Sequence, residues 1–277
     1  KSLSYFNTQR LLIPLLVFLG VLVVALSHGA FRALTWVYIF ANMAGALFGI
    51  IALFRIFPKP LVHGVSATRG TILKKSRDFY AASVLGIIII NLDRIYLSYW
   101  SNLGALGLYS VAFGFSRIFG TAFEAVGIAL YTHQLGALET VDGMRSQMAR
   151  TLRIFTRLIA PALLMAVLFA FFAQELVRMI YGAEYANHSL LFVILTFEAL
   201  VGGGGWILGQ SLLATGHTKV MVQRQLFLLA LLAVAFSLLG RGASAEMVAE
   251  VVLGLSFVKL LVTLALVWRS SRRVSII

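Results

Sequence analysis

Long apolar runs recur along this chain, and they settle its fold class. Eight can be separated, at about 11–27, 33–57, 79–100, 106–133, 154–173, 189–214, 226–239 and 248–268. A helix needs roughly 20 residues at about 1.5 Å each to cross a hydrocarbon layer about 30 Å thick. Membrane barrel strands alternate apolar and polar residues in segments of about ten, whereas these runs are continuous. The expected fold class is all-α, a polytopic transmembrane helix bundle. Composition agrees, since 60% of the 277 residues are hydrophobic and only 12% are charged. The seventh run is short for a crossing unless it takes in residues from Val220 onward or sits where the bilayer thins.

Basic residues set the expected orientation, because cytoplasmic loops retain lysine and arginine. One side of the ladder carries Lys1, Arg10, Lys59, Arg69, Lys74, Lys75, Arg77, Arg145, Arg150, Arg153, Arg157, Lys219, Arg224, Arg269, Arg272 and Arg273. The other side carries only Arg32, Arg178 and Arg241. Both ends of the chain are therefore predicted to be cytoplasmic. Spread over alternate loops, the net charge of +13 reads as a topology signal rather than a nucleic-acid surface. The same loops attract anionic lipid headgroups.

Several chemistries drop out. Without cysteine there is no disulfide, thiolate nucleophile or cysteine metal site. The histidines His28, His63, His133, His188 and His217 stand singly, without a second ligand at metal spacing. No nucleotide-binding glycine loop or nucleophile elbow occurs. No cofactor, metal, nucleic acid partner or enzymatic activity is expected. Lys1 stands where an initiator methionine would, and no signal-peptide cleavage pattern follows. A piece of a longer protein is the expectation. The one plausible boundary is the polar, basic stretch 58–78, which divides two runs from six.

Charges inside the runs are the most informative residues, because each costs at least a few kcal/mol at bilayer depth and persists only when paired, hydrated or used. Asp93 and Arg94 lie roughly 10 Å from one end of their run, while Arg117, Glu124, Glu198 and Lys259 lie roughly 14 to 16 Å inside theirs. Arg117 and Glu124 share a helical face. Ser83, Asn91, Arg94 and Ser98 form a polar stripe. Three cations thus meet three carboxylates near the midplane. They either line a transport path or pair to fix helix register. Small residues at fourfold spacing, Ala41, Gly45 and Gly49, then Gly205 and Gly209, point to close helix packing. The run Gly202, Gly203, Gly204 and Gly205 weakens a helix by about 1 kcal/mol per residue relative to alanine and is a hinge candidate.

The stretch Leu103-Gly104-Ala105-Leu106-Gly107-Leu108-Tyr109-Ser110-Val111-Ala112, after a helix carrying Asp93-Arg94, resembles the opening of the second lobe in polysaccharide-biosynthesis flippases. These belong to the multidrug/oligosaccharidyl-lipid/polysaccharide flippase superfamily. Tyr181-Gly182-Ala183-Glu184-Tyr185 and Ala214-Thr215-Gly216-His217-Thr218-Lys219 are similar to later loops of that family, so the resemblance covers about 76–269. It implies two six-helix lobes: residues 1–57 would be the last two helices of the first, 58–78 the inter-lobe loop, 79–268 the whole second lobe and 269–277 a cytoplasmic tail. About four helices would then precede the chain. The implied activity is transfer of an undecaprenyl-type pyrophosphate-linked oligosaccharide from the inner to the outer leaflet of a bacterial plasma membrane. Lobes rocking about a central cavity would drive it, with the polysaccharide polymerase machinery as a partner. Arg94, Arg117, Lys259 and Asn91 would line the substrate path. Asp93, Glu124 and Glu198 would be ion-coupling sites or structural partners. A cation-coupled multidrug antiporter of the same superfamily is the alternative, and an enzyme acting on lipid-linked sugars is a third class.

Overall fold

The computed structural model describes residues 2–27, 31–56, 69–135, 141–214 and 218–273, and these are almost entirely helical, with no strand among them. Seven helices are long and apolar enough to cross a membrane, and the apolar stretch Leu12–Leu26 adds a shorter one. The protein is thus a multi-pass helical membrane protein. The chain divides into two compact units, 1–67 and 68–277.

The first unit is a hairpin of α1 (Ser2–Leu26) and α2 (Phe31–Ile56). Its packing is set by glycine. A Cβ placed on Gly45 would overlap Ile13, and one on Gly20 would overlap Val37, so each glycine receives a branched side chain from the facing helix. Ala41, one turn from Gly45, is also buried. Small residues let the backbones approach, which is how helices gain contact where lipid is as apolar as leucine.

The second unit contains α3 (Arg69–Trp100), α4 (Leu103–Leu135), α5 (Val141–Tyr181), the short α6 (Ala183–Ala186), α7 (Ser189–Ala214), α8 (Thr218–Leu239) and α9 (Ala245–Arg273). Several helices outrun the apolar segments that announce them. Helix α3 begins at Arg69 rather than 79, and α5 covers 41 residues, about 60 Å of helix. Hydropathy marks the part of a helix that can enter hydrocarbon, whereas lysine, arginine, glutamine and glutamate continue a helix into water readily. The segment 174–188 is accordingly mostly helix, broken at Gly182, whose φ of +96° suits glycine alone. At 22 residues, α8 is long enough to cross the membrane. Residues 58–68, 215–217 and 274–277, which hold about half of the inter-run stretch with Lys59, part of one family-like loop and the end of the tail, lie outside the described residues.

Turn chemistry fixes the helix ends. Asn102 caps α4, its Oδ1 accepting the Ala105 N–H at 2.7 Å. Between α8 and α9, Gly240 and Gly242 have φ of +71° and +82°. This turn is tied to the end of α3: the Gly242 N–H donates to the Trp100 carbonyl at 2.8 Å, Ser101 Oγ donates to the Ala243 carbonyl at 2.9 Å, and the Tyr96 hydroxyl donates to the Gly240 carbonyl.

Helix α7 is the axis of this unit. Of its apolar stretch 61% is buried, against 17 to 29% in the other spans of the unit. The run Gly202 to Gly205 lies within continuous helix; Gly202 and Gly205 face α9, while Gly203 and Gly204 face α4 and α5. A Cβ on Gly203 would come within 2.7 Å of Phe123 Cβ on α4, one on Gly204 within 2.6 Å of Phe155 Cε2 on α5, and one on Gly205 within 3.8 Å of Leu260 Cα on α9. The glycines therefore admit three neighbours to one helix at backbone distance. Gly203→Ala is expected to destabilise the protein by about 1–3 kcal/mol, because Phe123 Cβ is tethered to its backbone. Gly204→Ala should cost less, since a ring edge can swing away. Thermal unfolding in detergent measures both, and equal losses would mean that contact distance alone decides.

Candidate functional site

The intramembrane charges separate into three arrangements. On α3, Asp93 is buried and accepts the Tyr109 hydroxyl from α4 at 2.6 Å and the Arg94 backbone N–H at 2.7 Å. Arg94 Nε lies 3.6 Å from Asp93 Oδ1. Its Nη2 donates to the Ile90 carbonyl at 2.9 Å, and its guanidinium lies 4.2 Å from the centre of the Phe113 ring. The carboxylate is satisfied by its two hydrogen bonds, whereas Arg94, 29% exposed, keeps its Nε without a hydrogen-bond partner among the described residues.

On α4, Arg117 Nη2 donates to Glu124 Oε1 at 2.7 Å across two turns of one helix, with both side chains about one-third or more exposed. The third arrangement is open. Glu198 on α7 accepts the Ser256 hydroxyl of α9 at 2.7 Å, while Lys259, one turn further along α9, has no ion pair within 4.0 Å among the described residues.

Asp93, Arg117, Glu198, Ser256 and Lys259 line one cavity of about 70 Å³, closed by Ile89, Ile90, Phe113, Leu228, Leu232, Val252 and Leu255. Four helices thus bring two carboxylates, two cations and a hydroxyl together at mid-depth. A cavity of that volume has room for water. Glycine shapes the wall, since a Cβ on Gly202 would stand 3.1 Å from Glu198 Oε1.

The remaining candidates fall outside this cavity. Arg94 borders it through Phe113, and Glu124 is reached through Arg117. The stripe on α3 turns back on its own helix: Ser83 Oγ donates to the Phe79 carbonyl, Asn91 Nδ2 to that of Ile87 and Ser98 Oγ to that of Ile95. Asn91 does not line the cavity. Arg224, a loop charge by sequence, lies inside α8, is only 5% exposed, and donates from Nη1 to Thr263 Oγ1 at 2.9 Å. Its run begins earlier than hydropathy shows, because Gln223, Arg224 and Gln225 mask the helix start. Tyr109 and Ser256 also escape sequence reasoning: neither is charged, and only the fold sets them against a carboxylate.

A family model described as a polysaccharide biosynthesis protein matches residues 4–190. The chain belongs to the polysaccharide biosynthesis protein family. The match takes in both units, beginning in α1 and ending at the start of α7. It therefore includes the Leu103-to-Ala112 and Tyr181-to-Tyr185 motifs, but not the segment around Lys219. No curated protein and no solved structure matches the chain. In this polysaccharide biosynthesis protein, Asp93 and Arg117 fall within the matched region, whereas Glu198, Ser256 and Lys259 lie beyond it.

Proposed function

We propose that this protein is a transporter that moves polyprenyl-pyrophosphate-linked oligosaccharide from the inner to the outer leaflet of a bacterial plasma membrane by alternating access. The observation that supports this most is the Lys259 ammonium, without an ion pair among the described residues, in a mid-depth cavity of a polysaccharide-biosynthesis family member. A cation at that depth, with no ion pair tighter than 4.0 Å among the described residues, lowers the barrier to a pyrophosphate crossing a low-dielectric layer. Arg117 contributes a second cation whose half-exposed pairing with Glu124 can be exchanged for substrate oxygen.

Deleting the gene in its native host tests the reading: surface polysaccharide should be lost and lipid-linked precursor retained in the inner leaflet. Asp93 and Glu198 in the same cavity favour a second reading, a cation-coupled drug antiporter. Unchanged polysaccharide with increased sensitivity to cationic drugs would decide for that one.

Orientation follows the arginines. In the second unit Arg77, Arg150, Arg153, Lys219 and Arg269 gather at one end of the antiparallel bundle and Arg178 and Arg241 at the other, which supports a cytoplasmic placement of the first end. The chain has no cysteine, so single cysteines at Thr71 and Asn187 report without background. Thr71→Cys should be labelled from the cytoplasm and Asn187→Cys from outside. Labelling of both from one side would reverse the proposal.

A further inference from the structure

Arg224 is the charge that the translocation path above does not use. It is buried in α8, about six residues or ~9 Å from the helix start. Its hydrogen-bond partner among the described residues is neutral, the Thr263 hydroxyl, and that hydroxyl in turn donates to the Lys259 carbonyl at 2.6 Å. Its Nε is buried without a hydrogen-bond partner among the described residues. Gly209 makes the space for it, because a Cβ there would stand 3.2 Å from Nη1. An arginine inside a membrane helix is retained when it is paired, hydrated or used, and no carboxylate pairs with this one among the described residues.

The guanidinium lines a second cavity, of about 340 Å³, enclosed by α3, α7, α8 and α9 within the second unit. Its polar lining consists of Arg224, Lys259, Gln210, Gln225, Ser83 and the Trp206 indole, and it includes no carboxylate. Two cations and two buried amides supply donors suited to phosphate oxygens. The rest is apolar, buried in part, as at Ala82 and Met221, and exposed along a rim where Phe79 and Ile87 are 47% and 63% exposed. A free anion has no use for such a rim, whereas a phosphate carrying a hydrocarbon chain satisfies both surfaces. The site extends from Lys259 toward the arginine-rich end of the bundle, where Phe79 and Met221 line it. Lys259, Ile89 and Ile90 belong to both cavities, so one ammonium forms part of the wall between them.

We propose that the cavity between α3, α7, α8 and α9 binds the phosphate or pyrophosphate headgroup of a membrane lipid, with Arg224 as its anchor and the lipid chain leaving over Phe79 and Ile87. The proposal rests on the translocation reading and adds to it an entry site, from which Lys259 passes the headgroup to the mid-depth cavity.

Calorimetric titration of the purified protein in neutral detergent, with farnesyl pyrophosphate, inorganic pyrophosphate and farnesol as probes, tests it. Farnesyl pyrophosphate should bind at least tenfold more tightly than either of the others. Arg224→Gln should weaken it at least tenfold, and Arg224→Lys should restore part of the loss. Should Arg224→Gln fail to fold, Gly86→Val fills the same cavity from α3 without removing a cation, since a Cβ there meets only Gln225 Nε2, at 3.3 Å. It too should weaken binding at least tenfold. Tight wild-type binding that neither Arg224→Gln nor Gly86→Val changes would overturn this site and leave the translocation reading intact. Equal affinity for inorganic pyrophosphate would overturn the lipid assignment. No binding of farnesyl pyrophosphate by the wild type would remove both the site and the translocation reading.

Discussion

Asp93→Ala is expected to cost the folded protein about 3–5 kcal/mol, the usual result of removing one member of a buried ionic cluster. The carboxylate is 3% exposed and accepts two short hydrogen bonds, from the Tyr109 hydroxyl and the Arg94 N–H. Its removal strands a tyrosine that is fully buried and an arginine whose remaining partners are a carbonyl and a phenyl ring. Tyr109→Phe deletes one bond to a charged acceptor and should cost about 1.5–3 kcal/mol. Asp93→Asn keeps an acceptor for Tyr109 and should fall between wild type and alanine. Thermal unfolding of the three purified variants gives the order. An Asp93→Ala protein as stable as Tyr109→Phe would show that the carboxylate does not hold α3 to α4.

Lys259→Ala should behave in the opposite way, leaving the fold and reducing the function. The ammonium has no ion pair within 4.0 Å among the described residues, and Glu198 in the same cavity keeps its hydrogen bond from Ser256 when Lys259 is removed. Export of polysaccharide should fall at least about tenfold, which needs only ~1.4 kcal/mol of lost headgroup attraction. Arg117→Ala should lower export too, but with some loss of stability, because it frees Glu124. Glu198→Gln should spare export, as it removes a charge that repels the substrate anion. Cell-surface polysaccharide and immunoblotted protein, measured together, separate transport from abundance. Normal export by Lys259→Ala at normal abundance would end its role in the path. Loss of export in Glu198→Gln alone would move the weight to ion coupling.

Much of the architecture was legible in the residues because the bilayer imposes a length. Runs such as 189–214 and 248–268 needed no partner to be recognised as spans. The polar ends were not legible: residues 69–78 and 141–153 are helix, although nothing in their hydropathy separates helix from loop. The midplane charges could be found by depth, and Lys259, Glu198 and Arg117 do line one cavity. Depth gives no rotation about the helix axis, however, so Asn91 looked like a path residue yet bonds to its own helix.

Side-chain chemistry in sequence order therefore determined that this chain spans a membrane, which segments do so and which charges lie deep. Only the tertiary structure decided which charges are already satisfied. Asp93 is closed by Tyr109 from another helix, Arg117 by Glu124 on its own, and Lys259 and Arg224 are left facing cavities. The physical reason is that insertion depends on the apolar content of each segment alone. The state of a buried charge depends on atoms within about 3–4 Å, and packing alone brings residues as distant in sequence as Glu198 and Ser256 to that range.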